Sequence, residues 1–442
     1  MRPAAGAAGA ESDMSVIGEG QAGVVLADDA VRRIVAAAAE GIDPAGKRVL
    51  VVIPDHTRTC PLPQIARELH AAVAPRAKKL DFLIALGTHP PLDEEAIDRL
   101  LGCPPGRRGD LLPGSEVFNH EWDNPSALAT IGRLSRERVA ELTPPETHRF
   151  ARDIDVTINR RVLDYDAVLI CGPVFPHEVV GFSGGAKYFF PGICGPELLN
   201  FFHWLGALIT CPKIIGTKHT PVRRVLNEAL GMVAVEHFAL CMVVGGGKLV
   251  GLHFGGVREA WSAAADLSDQ VHVTYVDEPF SSVLSQAPPM YDELWVGAKC
   301  MYKMEPVVAD GGELIIYAPH LSEISVTHGK VIREIGYHCL PYFLDQWERF
   351  KDYPWGVLAH STHVRGIGTC EGGVERPRIR VTLASRVGED LCREVSLGYR
   401  DPASIDISEW EGHEADGRLY VPKAGEMLHK LADPPAWQRF DG

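Results

Sequence analysis

No two of the ten cysteines stand at the C-x-x-C spacing of a zinc ribbon or a redox pair. They are scattered from Cys60 to Cys392, mostly beside apolar residues, as in VLICGP and FALCMVV. That is the pattern of reduced core thiols in a cytoplasmic protein. No window holds eighteen consecutive apolar residues, so no membrane span is expected. Basic residues are in deficit, with 44 Lys and Arg against 58 Asp and Glu and a net charge of −14. A nucleic-acid partner needs a basic face to displace counterions and is not expected. A few local Arg or Lys residues still suffice to hold an anionic substrate. Internal repeats are absent, and low complexity is confined to the first residues. The opening MRPAAGAAGAESDM is too short and too weakly apolar for a signal sequence. Residues 1–20 are expected to be a disordered lead-in, with Met14 as an alternative start. What is present is ordinary globular composition, 46% hydrophobic and 23% charged over 442 residues, enough for two or three domains.

From residue 27 short apolar runs alternate with amphipathic helices. The spacing predicts helices over 27–42 and 62–75 and buried strands over 48–55 (RVLVVIPD) and 80–89 (LDFLIALGTH). Strand–helix–strand alternation implies a parallel sheet with crossover helices. Further strands are expected at 117–120, 155–159 and 165–172. Polar clusters follow four of these strands: PDHTR, GTHP, NHEWDN and GPVFPHE. Ligands of parallel sheets gather at such carboxyl ends. Residues 238–255 read as a hairpin turning at Gly245, Gly246 and Gly247. A second α/β block begins near 290, with DELWVGAK (292–299), GGELIIYAPH (311–320), a helix over 329–350, and later strands at 355–366 and 378–385. The expected division is a lead-in over 1–20, a first α/β domain over 21–285, a second over 286–400, and a segment over 401–442 that returns to the first.

The most unusual segment is FPHEVVGFSGGAKYFFPGICGPELLNFFHW, residues 175–204. It carries His177, a turn with Ser183, Gly184 and Gly185, then Lys187 among aromatic residues, then His203. A lysine so flanked is either desolvated, and then a better nucleophile, or snorkels from a helix end. Three short motifs nearly fit. HEVVG opens like the zinc-protease motif, but Gly181 replaces the second histidine. GFSGG matches the G-x-S-x-G nucleophile elbow of α/β-hydrolases, yet several residues separate Ser183 from the preceding strand. GGAKY lacks the residues a phosphate-binding P-loop needs around its lysine. A lone histidine at a strand end is, by itself, most often a hydrogen-bonded core residue.

Taken together the motifs resemble the nickel-pincer lactate racemase family. The likeness lies in GFSGGAK, with a histidine ten residues before the lysine and another sixteen after it. It extends to IPDHTR (53–58), GTH (87–89), NHEWDN (119–124), Lys299 in GAKCM, GGELIIYAPH and WGVLAHST. The resemblance covers residues from about 20 to 400 and implies two α/β domains with largely parallel sheets and an active site in the interdomain cleft.

The resemblance further implies racemisation of a 2-hydroxy acid through a nickel-pincer nucleotide bound covalently to Lys187. His203 is then the protein ligand to nickel, which imidazole suits. His120 and His177 are the acid/base pair, Arg58 grips the substrate carboxylate, and Lys299 assists at the substrate. Asp55, Thr57, Ser183, Gly184 and Gly185 lie around the cofactor. A racemase needs a proton carrier on each face of a flat intermediate, and histidine can give or take a proton near neutral pH. The pincer accepts a hydride, and a 2-keto acid intermediate takes it back on its other face. The roles of His89, and of His360, Ser361 and Thr362 facing the cleft, stay open. Implied partners are a small 2-hydroxy acid and the cofactor-synthesis enzymes that mature the protein. Where the family pattern has Gln three residues before the second-domain lysine, this chain has Val296, preceded by Trp295. That points to lactate or a bulkier, more apolar relative. Two rivals remain: a serine hydrolase using Ser183, and a non-catalytic carrier of the nucleotide.

Overall fold

The computed structural model describes residues 15–440. The chain divides into two compact units. The first runs to Phe175 and adds Phe182–Leu199 and Arg223–Val271; the second comprises Pro176–Gly181, Asn200–Val222 and the chain from His272. The division therefore departs from a single boundary at 285, because the chain passes from one unit to the other several times.

The first unit is built on a seven-stranded sheet. Its spatial order is Ile17–Gly20, Lys248–Gly255, Glu236–Gly245, Ala167–Pro173, Arg48–Ile53, Lys79–Ile84 and Val117–Asn119. The last five are mutually parallel, with Val49 opposite Leu80 and Ala167, and Phe82 opposite Val117. The runs RVLVVI and AVLICGP are buried almost throughout, which explains their unbroken apolar character: a parallel sheet is covered on both faces. Helices Asp28–Ile42 and Leu62–Val73 cover one face, packing Ile34, Val35, Ile65 and Leu69 against Val49, Val51 and Phe82. The hairpin turns at Gly246 and Gly247, both in the left-handed region, as a two-residue turn requires. Residues 1–14 of the expected lead-in lie outside the described residues. Ile17–Gly20, expected within it, is instead an edge strand paired antiparallel with Lys248–Gly255. The strand expected at 155–159 forms, as Ile154–Asn159, but pairs antiparallel with Leu128–Leu134 outside the main sheet.

The second unit holds a five-stranded parallel sheet, ordered Gly398–Tyr399, Arg380–Ser385, Val308–Ala318, Phe280–Gln286, Arg418–Val421. The final segment does not return to the first unit. Arg418–Val421 joins this sheet, and Leu428–Leu431 pairs with Val273–Val276. The strand expected at 355–366 is a helix, Trp355–Arg365, begun after Pro354 and ended by Gly366 at φ 82°. Its apolar residues form a continuous run, which periodicity alone cannot assign to strand or helix. Residues 292–299 are also helical in part, as Leu294–Gly297, with Lys299–Tyr302 following. The helix expected over 329–350 is three pieces, because Gly336 at φ 71° ends the first and Pro341 opens the second. Among the described residues no helix is long and apolar enough to cross a membrane.

Candidate functional site

Four parallel strands of the first unit deliver their polar followers to one end of the sheet. Asp55 follows Ile53 and is buried. Its Oδ2 meets His89 Nδ1 at 2.5 Å, while Oδ1 accepts from the Thr57 amide at 3.1 Å and the Thr57 hydroxyl at 2.7 Å. Arg58 Nη1 donates to Thr57 Oγ1 at 3.2 Å, and its guanidinium lies 5.6 Å from the Phe175 ring centre. Burial alone would push the Asp55 carboxyl up. The His89 and Arg58 charges and the Thr57 hydrogen bonds outweigh it and hold the group well below the usual carboxylate range. An ionised Asp55 must accept, so His89 Nδ1 carries a proton, and in the neutral form of the ring the lone pair is on Nε2. The His89 side chain is 25% exposed, so that lone pair is reachable.

His120 differs. It is 1% exposed, with Nε2 donating to the Cys194 carbonyl at 3.0 Å and Nδ1 accepting from Asn159 Nδ2 at 3.1 Å. Asn159 Oδ1 accepts from the Arg161 amide, which fixes the orientation of that amide group. Burial pushes the His120 pKa down to about 4. Both ring nitrogens are thus committed to protein groups. The structure sets the two strand-end histidines apart, one sealed and one open, and the open one is the residue whose role the sequence left undecided.

Lys187 sits in a single helical turn, Gly185–Tyr188, directly after the glycine-rich loop. Its neighbours Tyr188, Phe189 and Phe190 are buried, whereas Lys187 itself is partly exposed. The aromatic flank faces the core and does not enclose the lysine, which removes the desolvated-nucleophile argument. Gly184 and Gly185 take φ 78° and 57°. A Cβ at Gly184 would stand 2.5 Å from Val174 Cγ2, and one at Gly185 2.8 Å from Trp261 Cβ. The loop therefore needs glycine twice over, for its backbone angle and for space.

Ser183 is buried, its hydroxyl donating to the Pro173 carbonyl at 3.2 Å and accepting from the Phe175 amide at 3.0 Å. A hydrolase nucleophile needs a base in that place, so the serine-hydrolase expectation is corrected: Ser183 ties the loop to the strand end. Ser183→Ala is expected to cost about 1–3 kcal/mol by orphaning the Phe175 amide. Denaturant unfolding measures that cost, and an activity-based fluorophosphonate should leave the wild-type protein unlabelled.

In the second unit His177 is buried, and its Nδ1 accepts from the Val179 amide at 3.1 Å with Glu178 Oε2 at 3.2 Å. His203 lies on helix Pro196–Ile209, partly exposed and stacked on Phe202 at 4.5 Å. His360 and His363 are buried near it. Burial first, then neighbouring histidines including His203, push both pKa values down to about 3. Lys299 Nζ lies 4.7 Å from the Tyr291 ring centre. The triplet His360, Ser361 and Thr362 is structural. His360 Nε2 bonds the Trp295 carbonyl, Ser361 donates to the Gly336 carbonyl and Thr362 to the Ala359 carbonyl. Val296 is buried, while Trp295 is partly exposed and stacks on His360 at 3.9 Å.

Residues 26–144 and 146–213 match the family model described as the lactate racemase N-terminal domain. Over that span the chain is similar to the lactate racemase family. The matched span includes Asp55, Arg58, His89, His120, His177, Lys187 and His203 and stops before Lys299. The lactate racemase of Lactiplantibacillus plantarum is 24% identical over 281 residues, and that of Thermoanaerobacterium thermosaccharolyticum 22% over 279. Each match covers 62% of this chain, and the chain spans about 60% of the length of either relative. Among solved structures, a Thermotoga maritima protein is 33% identical with a TM-score of 0.84, covering 93% of this chain and 100% of its own. The lactate racemase apoprotein of T. thermosaccharolyticum shares the fold, with a TM-score of 0.66 at 18% identity over 90% of this chain and 93% of its own.

Proposed function

We infer that the protein is an isomerase that racemises a 2-hydroxy acid, lactate or a bulkier and more apolar relative, with a nickel-pincer nucleotide attached to Lys187. The observation that carries this is the linked cluster of His89, Asp55, Thr57 and Arg58, tied through Phe175 and Ser183 to the loop before Lys187. Several features fit the group. The loop is bare backbone at Gly184 and Gly185, Lys187 is partly exposed, and His203 offers a partly exposed imidazole. Among the described residues no set of three or more His, Cys, Asp or Glu is placed to hold a metal ion. The single ligand assigned here, His203, therefore needs its remaining donors from the nucleotide.

When bound, the nucleotide supplies the acceptor for the hydrogen at the substrate's C2. The chain's own groups do the rest. Arg58, steadied by Thr57, grips the carboxylate through a planar guanidinium. His89 Nε2 takes the hydroxyl proton, and the Asp55 carboxylate behind it stabilises the imidazolium that results. His177 is proposed for the second proton. Lys299 is assigned to the substrate. The acid/base role expected for His120 passes to His89, because only His89 has a nitrogen to spare.

Intact mass and nickel content, measured on protein from a host that makes the cofactor, test the assignment. A nucleotide adduct on the Lys187 peptide with about one nickel per chain is expected, together with interconversion of a D- or L-2-hydroxy acid. Unmodified protein without nickel under those conditions removes the proposal. Adduct and nickel without interconversion of any 2-hydroxy acid would leave the carrier.

A further inference from the structure

Three successive carbonyls of the glycine-rich loop are held from the same side by two buried side chains. Arg223, in the helix Pro221–Leu230, donates through Nη2 to the Phe182 carbonyl and through Nη1 to the Gly184 carbonyl at 3.3 Å. Trp261, in the helix Val257–His272, donates through Nε1 to the Ser183 carbonyl at 2.8 Å. The two donors are themselves stacked, with the guanidinium carbon 4.1 Å from the indole centre. Arg223 is 2% exposed and Trp261 5%. Consecutive carbonyls ordinarily point in alternating or helical directions. Turning three of them inward takes the positive φ angles at Gly184 and Gly185 and a donor for each oxygen. Gly184 O also accepts from the Lys187 amide at 3.2 Å, so the clamp acts on the residue that carries the lysine. Gly185 lacks the Cβ that would strike Trp261, which lets the indole come this close.

Burying a guanidinium is expensive, and burial pushes the Arg223 pKa down to about 9. A loop that needed only to be covered could be covered by apolar side chains at no such cost. We propose that Arg223 and Trp261 are positioning residues that fix the main chain of Phe182–Gly184 and thereby set how the Lys187 amine is presented for attachment of the nucleotide. The proposal rests on Lys187 as the attachment point, and its test is made on protein without cofactor so that the two can fail separately.

The test is competitive acetylation of the apoprotein with trace acetic anhydride, read peptide by peptide. Exposed Lys248, on the far hairpin, is the internal reference. Trp261→Phe keeps the stacked ring and removes one hydrogen bond. Arg223→Lys keeps the charge and loses the fork. In each variant the Lys187 to Lys248 labelling ratio is expected to shift by about fivefold, the factor one hydrogen bond commands, with cooperative unfolding retained. A ratio unchanged in a cooperatively folded Trp261→Phe protein overturns the proposal, even where Arg223→Lys does not fold. A merely structural role would lower the unfolding midpoint and leave the ratio alone. If wild-type protein never acquires an adduct at Lys187, the attachment reading fails while the labelling result stands.

Discussion

His89→Asn is expected to lower 2-hydroxy-acid racemisation by about 10²–10⁴-fold, the usual worth of a positioned proton-transfer group. His120→Gln is expected to stay within about tenfold of wild type on the same scale. Asparagine at 89 can still donate from its amide to Asp55, as Nδ1 does at 2.5 Å. It therefore preserves the structural bond and removes only the basic Nε2. Glutamine at 120 can donate to the Cys194 carbonyl and accept from Asn159, the two bonds the imidazole makes. Its cost should appear as about 1–2 kcal/mol of stability. Initial rates in both directions, with nickel content matched between samples, check the pair. The opposite pattern, a crippled His120→Gln and an active His89→Asn, would return the role to His120.

What separates these histidines was not legible in the chain. Each follows a strand in a polar cluster, and the parallel sheet was readable from buried apolar runs such as RVLVVI. But the groups that seal His120 lie 39 and 74 residues away in sequence, at Asn159 and Cys194. Arg223 and Trp261 were missed for the same reason. They stand 41 and 78 residues from the carbonyls they hold, in helices whose amphipathic patterns resemble any other. Glycines 184 and 185 were legible, because positive φ and lack of space leave a signature in residue type. Lys187 stood out in the sequence with its solvation undecided, since adjacent residues in a tight turn can face opposite ways. In the second unit the same limit applied to fold. WGVLAHSTHV has no alternation to declare it strand or helix, and only Pro354 and Gly366 at its ends mark the helix it forms.

Lys187→Arg is expected to abolish nucleotide retention and racemisation together while leaving the fold intact. Acylation of a lysine needs its neutral amine, and a partly exposed guanidinium in its place stays protonated near neutral pH. Charge and approximate length are kept, and Lys187 is partly exposed in its turn. The stability change should therefore stay within about 0.5 kcal/mol, as for surface substitutions generally. Gly184→Ala makes the informative contrast, because it keeps the amine and attacks the loop. Its backbone, at φ 78° and ψ −178°, is a conformation L-residues avoid, and the added Cβ would stand 2.5 Å from Val174 Cγ2. Strain and overpacking together are expected to cost about 2–4 kcal/mol. Intact mass, nickel content and thermal unfolding on the two variants then separate chemistry from architecture. Lys187→Arg should lose adduct and nickel at an unchanged midpoint, and Gly184→Ala should lose stability first. Retention of the adduct by Lys187→Arg would place the attachment at a residue other than Lys187.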